Sequence, residues 1–333
     1  MENGNMNQDG VLSLHKEAIV IDGLNASHFF DDAVLGRLAQ GGVTAFNGTV
    51  AAWHSLEETM TLIADYYHLF EEKKDRVLQV RSVGDIRDAK RSGCIGMIFG
   101  FQDTAPMSGN LRMLAVYHAL GVRVIQLTYN DENAVGCGCM APEDKGLTPF
   151  GRDVVAEMNR LGMLVDLSHC GYRTTMEAIE ASAAPVAFTH ANPRALANSP
   201  RNKPEEAFKA LAAKGGVAGA VLLPAWLTPQ GEASLKHYLD AIDYLVGLMG
   251  VDHVGLGTDF MEDIPAEIRM AALKGIPPET LKKYYGSNIV KGFESPVAFP
   301  KVTEGLLSRG YSPENVKKIM GGNWLRLYEE VWR

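Results

Sequence analysis

The 333 residues predict an α/β fold, a (β/α)8 TIM barrel formed as a single domain over residues 1–333. Three observations carry this. Eight short runs are nearly continuously apolar and β-branched, as strands buried on both faces must be. Helix-length amphipathic segments alternate with them, the pattern of parallel strands joined by crossover helices. After the first run the chain reads Asp22-Gly23-Leu24-Asn25-Ala26, with no G-x-G-x-x-G, which weighs against a doubly wound nucleotide-binding sheet.

The runs cover residues 19–23, 43–47, 95–100, 122–128, 163–168, 185–189, 216–222 and 253–258. Apolar residues at helical spacing fall between them at 56–72, 111–120, 152–161, 174–181 and 204–214. Residues 77–83 read as a small extra strand between the second and third barrel strands. The stretch 261–300, rich in Pro, Gly and charge, reads as an excursion over the barrel mouth. C-terminal helices fill 312–333: Ser312 is an N-cap for a helix over 313–320, and Gly321-Gly322 stops it before a last helix from Asn323.

Composition excludes several classes. The chain is 46% apolar, too much for a disordered chain. Its formal charge is −8 without a basic cluster, so no nucleic-acid partner is expected. Four Cys in this length cannot form a disulfide scaffold. The most apolar stretch, residues 207–227, is interrupted by Lys209, Lys214 and Pro224, so no membrane partner is expected. With no apolar leader in residues 1–10 and no anchor after Arg333, the expectation is a cytoplasmic protein acting on a small molecule.

In such a barrel the chemistry lies at the C-terminal ends of the strands. The polar residues there are Asp22 and Asn25, Asn47, Gln102 and Asp103, Tyr129 with Asn130 and Asn133, His169, His190 and Asp259. Adjacent strands lie about 5 Å apart, so His169 and His190 can reach one ion, with Asp259 or Gln102 adding an oxygen. Tyr129 and Asn130 are candidates for substrate contact. Arg194 and Arg201 read either as solvated loop charge or as a carboxylate clamp. His15, His68, His118 and His237 read as surface residues, His28 and His54 as loop residues, and His253 lies at the wrong end of its strand. Cys137 and Cys139 are too closely spaced for a structural zinc pair, Cys170 points away from the ion, and no base stands beside any thiol.

These residues resemble the membrane (renal-type) dipeptidases, peptidase family M19, an amidohydrolase-like branch of metallohydrolases. The resemblance runs from Val20-Ile21-Asp22-Gly23 to Gly321-Gly322-Asn323-Trp324, through Leu127-Thr128, Asp166-Leu167-Ser168-His169, Thr189-His190, Arg201-Asn202 and Gly255-Leu256-Gly257-Thr258-Asp259-Phe260. It implies two zinc ions, hydrolysis of dipeptides and a homodimer. It also implies that Arg201 binds the substrate carboxylate. The departures are specific. Where the family has a His and an Asp for its first metal, this chain has Leu24 and Ala26. The bridging Glu falls on Gln102 and a substrate-contacting His on Tyr129. Gln102 has no negative charge to offset repulsion between two dications. The expectation is therefore one divalent metal, zinc or iron, on His169 and His190 with Asp259 or Gln102, and no organic cofactor.

The first functional reading is a one-metal amide hydrolase for a small carboxylate-bearing substrate. Asp259 would act as base, acid or ligand and Tyr129 as oxyanion donor. Two alternatives stand beside it. One is an enzyme of another class, since two His and a carboxylate also suit Fe(II) oxygenases, lyases and isomerases. The other is a metal-free, catalytically inactive binding protein.

Overall fold

The computed structural model describes residues 7–230, 232–266 and 289–333. Eight parallel strands close into a barrel: Ile21–Asn25, Ala45–Ala51, Ile95–Phe101, Val122–Gln126, Leu164–Asp166, Ala187–Phe188, Val217–Ala220 and Val254–Leu256. Each pairs with the next, and the eighth returns to the first through Asp22 opposite Leu256. All eight correspond to the apolar runs, and their residues are buried almost throughout.

The extra strand is present at Val77–Val80, where it pairs with Ile95–Ile98 along the lower half of the third barrel strand. The fourth barrel strand takes over that edge from Phe99 upward. The extra strand ends before residue 83 because Ser82 already caps the next helix, Val83–Ser92. Asp85 N–H donates to Ser82 Oγ, and the Asp85 carboxylate accepts from Ser82 N–H at 2.8 Å.

The expected helix Leu56–Glu72 has the same device, with Ser55 and Glu58 forming the box. Pro149–Leu161 starts three residues earlier than its apolar period, because Thr148 caps it and Pro149 suits the first turn. Ser312 caps Pro313–Lys317 as expected. The expected stop at Gly321-Gly322 is instead a π-helical turn, Lys318–Gly322, running into Asn323–Val331. Most of the excursion expected at 261–300 lies outside the described residues.

The last helix seals the end of the barrel away from the mouth. Trp324 and Tyr328 pack against Ile21, Ile98, Val124, Leu164 and Val217. Trp324 Nε1–H donates to Leu256 O at 2.9 Å. A Cβ on Gly23 or Gly255 would stand 2.6 or 2.4 Å from the indole, so both positions need glycine for this close approach.

His15 departs from the expected surface position. The N-terminal helix Gln8–Glu17 packs on Phe299–Ser308, burying His15 between Thr303 Oγ1 at 2.7 Å and Gly41 O at 2.9 Å.

Candidate metal centre at the barrel mouth

His169 and His190 follow the fifth and sixth strands, and their imidazoles meet. The two Nε2 atoms are 2.9 Å apart, with both rings buried. What faces what across this gap follows from the other ring nitrogens. His169 Nδ1–H donates to Asn130 Oδ1 at 2.8 Å. His190 Nδ1 lies 2.8 Å from Thr189 Oγ1, whose own proton is given to Asp166 Oδ2 at 2.6 Å. The Thr189 oxygen is therefore an acceptor toward His190, and Nδ1 carries the proton there too. Both Nε2 atoms present lone pairs to each other. Burial, and then the charge of Arg201, hold both imidazoles well below their ordinary pKa, so the neutral forms prevail.

Two lone pairs facing at this distance repel unless a proton or a metal ion lies between them. Two nitrogens bound to one zinc at about 2.0–2.1 Å, between right-angled and tetrahedral, stand about 3.0–3.4 Å apart. The pair thus fits one edge of a single coordination sphere. The rest of a site is not assembled: among the described residues no three His, Cys, Asp or Glu side chains converge to hold an ion. Leu24 and Ala26, at the end of the first strand, offer no lone pair. The expected convergence of Asp259 with the two imidazoles is not seen in this arrangement. Gln102 is buried and gives its Nε2–H to Thr49 Oγ1 at 2.8 Å, which leaves its carbonyl oxygen as a neutral donor.

Asp259 follows the eighth strand in a left-handed backbone conformation, φ 57°. A non-glycine residue pays about 1–2 kcal/mol for that, and the surroundings must hold it there. Asp22 does so. Its Oδ1 accepts Thr258 N–H at 2.8 Å and its Oδ2 accepts Thr258 Oγ1–H at 2.5 Å, while Asp259 N–H donates to Leu24 O at 2.9 Å. The Asp166 carboxylate makes the same clasp on Thr189, at 3.0 and 2.6 Å. Both clasps sit on seams with a single register pair, Asp22 with Leu256 and Asp166 with Ala187. Where the backbone ladder is shortest, a buried carboxylate supplies the missing bonds and aims the residue after the threonine, His190 or Asp259. Burial pushes Asp259 up to about 7 and Asp22 up to about 6.

Arg201 is fully buried, not solvated. Its Nη atoms donate to Ser168 O at 2.5 Å and His190 O at 2.8 Å, its guanidinium lies 4.9 Å from the Trp226 ring, and its Nε–H has no partner among the described residues. Arg194 is exposed and donates to Asn202 O. Tyr129 stacks on His169, with ring centroids 4.2 Å apart at 19°. Asn130 orients His169, a different placement from the expected substrate contact. Asp103 braces the Tyr129 loop, accepting Tyr129 N–H and Ala105 N–H at 2.7 Å each. Cys170 Sγ accepts from Thr128 Oγ1, and burial pushes its thiol up to about 11, so it is no nucleophile.

Two parts of the site were not singled out from the sequence. The Asp166 brace had a signal, because an Asp two residues before a Ser is the spacing of an Asx turn. Lys203 had none. It is buried, donates to Cys170 O at 2.7 Å and Thr175 Oγ1 at 3.2 Å, and burial lowers it to about 8. The relay through Thr189 carries a prediction. Thr189→Val leaves His190 Nδ1–H without its acceptor, and zinc affinity measured by chelator competition is expected to fall about 10–100-fold. Unchanged affinity in a folded variant would remove the relay from the site.

A model of the membrane dipeptidase family, peptidase family M19, matches residues 12–273. The dipeptidase tcpJ of Claviceps purpurea is 32% identical over 281 residues, covering 83% of this chain and 60% of that protein. The crystal structure of an amidohydrolase from Pseudomonas aeruginosa superposes with a TM-score of 0.90 at 35% identity, over 97% of this chain and 99% of that one. The probable dipeptidase PvdM from Pseudomonas aeruginosa shares the fold, with a TM-score of 0.82 at 20% identity over 97% of this chain and 98% of that one. The chain spans 54–67% of the length of the curated relatives it matches. With the closed parallel barrel and the paired imidazoles at its mouth, the chain belongs to the membrane dipeptidase family, peptidase family M19.

Proposed function

We propose that this protein is a metal-dependent hydrolase that cleaves the amide bond of a dipeptide or similar small carboxylate-bearing amide, using at most one ion. The observation that carries this is the pair of Nε2 lone pairs facing each other at 2.9 Å, with both Nδ1 protons committed elsewhere. His169 and His190 would hold the ion. When bound, it supplies Lewis-acid polarisation of the carbonyl and a more acidic water.

The chain's own groups account for the rest. Asp259, pushed up to about 7 and half-buried, can take and return a proton near neutral pH. Arg201 is assigned to the substrate carboxylate. Its buried guanidinium makes no ion pair among the described residues, and its Nε–H is unpartnered. Tyr129 stacks on one face of His169, and its phenol is assigned to the developing oxyanion. Name and sequence likeness agree with hydrolysis: the fungal relative is called a dipeptidase and the bacterial structure an amidohydrolase.

The test is elemental analysis of protein purified without added metal, with dipeptide hydrolysis assayed on the same sample. One zinc per chain with turnover is expected; two ions per chain would overturn the single-ion reading. The apolar first-strand end predicts a gain as well. Leu24→His with Ala26→Asp and Gln102→Glu is expected to raise the content toward two ions, and unchanged content in the folded triple variant would refute the assignment of those positions.

A further inference from the structure

The geometry points to an aromatic subsite at the barrel mouth, formed by Trp53 and Tyr129, that takes the side chain of the substrate's amino-terminal residue. This rests on the hydrolase reading above and names the substrate class for it: dipeptides whose first residue is aromatic.

Trp53 follows the second strand and is 40% exposed, in a chain whose other indoles at positions 226 and 324 are buried and whose Trp332 is half-buried against Tyr328. An exposed indole standing singly needs no explanation. This one does not stand singly. Its ring meets Tyr129 edge-on, with centroids 5.1 Å apart at 69°, and Tyr129 lies on His169 at 4.2 Å. The imidazole of His54 runs parallel to the indole on its own side, at 12° and 6.1 Å, and burial lowers its pKa, keeping it neutral. A continuous aromatic wall therefore leads from solvent to one of the paired imidazoles.

Position around the barrel sets which part of the substrate meets this wall. Trp53 and Tyr129 follow the second and fourth strands. Arg201 lies beyond the sixth and grips the carbonyls after the fifth and sixth strands. The imidazole pair stands between them. A substrate whose carboxylate is at Arg201 and whose amide is at the imidazoles must send its amino-terminal residue toward Trp53. Aromatic rings prefer stacked and edge-on partners, and the wall offers the indole face with the exposed area to receive one.

The test compares metal-replete wild type, Trp53→Ala and Trp53→Phe on Phe-Gly and Ala-Gly. Wild type is expected to favour Phe-Gly in kcat/KM. Trp53→Ala is expected to lower the Phe-Gly to Ala-Gly ratio about tenfold, and Trp53→Phe to retain most of it. A ratio unchanged in Trp53→Ala would overturn the subsite. A second measurement separates this from the hydrolase reading: titration of the full chain with L-phenylalaninamide, followed by tryptophan fluorescence. Saturable quenching in wild type, lost in Trp53→Ala, supports the subsite even when no dipeptide is cleaved, in which case the hydrolase reading alone fails. Cleavage of dipeptides without discrimination and without quenching would sink the subsite and leave the hydrolase.

Discussion

His190→Ala is expected to lower the metal content from about one ion per chain to near zero, with kcat/KM for a dipeptide falling at least about 1,000-fold. Structural zinc sites with four ligands bind with about 10–16 kcal/mol, so each ligand carries about 3 kcal/mol, or a factor of 100 or more in affinity. The two imidazoles are the assembled donors here, and removing either leaves one nitrogen in a buried pocket. His169→Ala should behave alike, whereas Asn130→Ala, which only frees the ring orientation, should cost less. The check is elemental analysis of dialysed protein together with steady-state kinetics. A His190→Ala variant that keeps a full complement of zinc would show that the ion, if present, is held elsewhere.

Asp259→Asn is expected to separate activity from stability. Loss of the carboxylate should reduce kcat about 100–1,000-fold, as for removal of a general base. The metal-free protein should become more stable at pH 8. The native pKa of Asp259, about 7, lies above the value of about 3.9 expected for an unfolded aspartate. Between these values the native state binds the extra proton, so native stability falls as pH rises through that window. The cost is complete above pH 7 and absent below about pH 4. Asn carries no such cost. The Asn variant should therefore exceed wild type by on the order of 3 kcal/mol at pH 8 and match it near pH 4. Asp22, pushed up to about 6 by burial, adds a slope of the same sign to both proteins and largely cancels in the comparison. Urea unfolding at the two pH values reads the difference. Equal stability at pH 8 would mean that Asp259 is solvated or already ion-paired.

The barrel could be read from the sequence because each strand is apolar on both faces and all but the seventh stop at a polar residue, a local pattern that needs no tertiary information. The pairing of His169 with His190 followed from their places at neighbouring strand ends. What could not be read depends on side-chain direction. Composition and spacing do not separate Arg201 from Arg194, and only the family resemblance singles out Arg201; one is buried against Trp226 and the other is exposed. Asp259 was expected to join the imidazoles. No three-donor cluster forms among the described residues, and Asp259 sits in a left-handed backbone next to Thr258, which Asp22 clasps from the other end of the chain. His15 is buried because a helix from residues 299–308 covers it, a contact spanning 288 positions.

The extra strand at Val77–Val80 bears on how the barrel breathes. It occupies the lower edge of the third strand, the fourth strand pairs there only from Phe99 upward, and side chains tie the extra strand to the segment entering the fourth: Arg123 to Arg81 O at 2.8 Å and Gln79 to Leu120 O at 2.9 Å. Such a seam opens more easily than a backbone ladder, and transient opening follows the least-bonded line. It lies at the end of the barrel opposite the imidazoles, whereas the seam beneath them is clasped by the buried Asp166. The lower seam is therefore the line along which local opening is expected first, away from the imidazole rim.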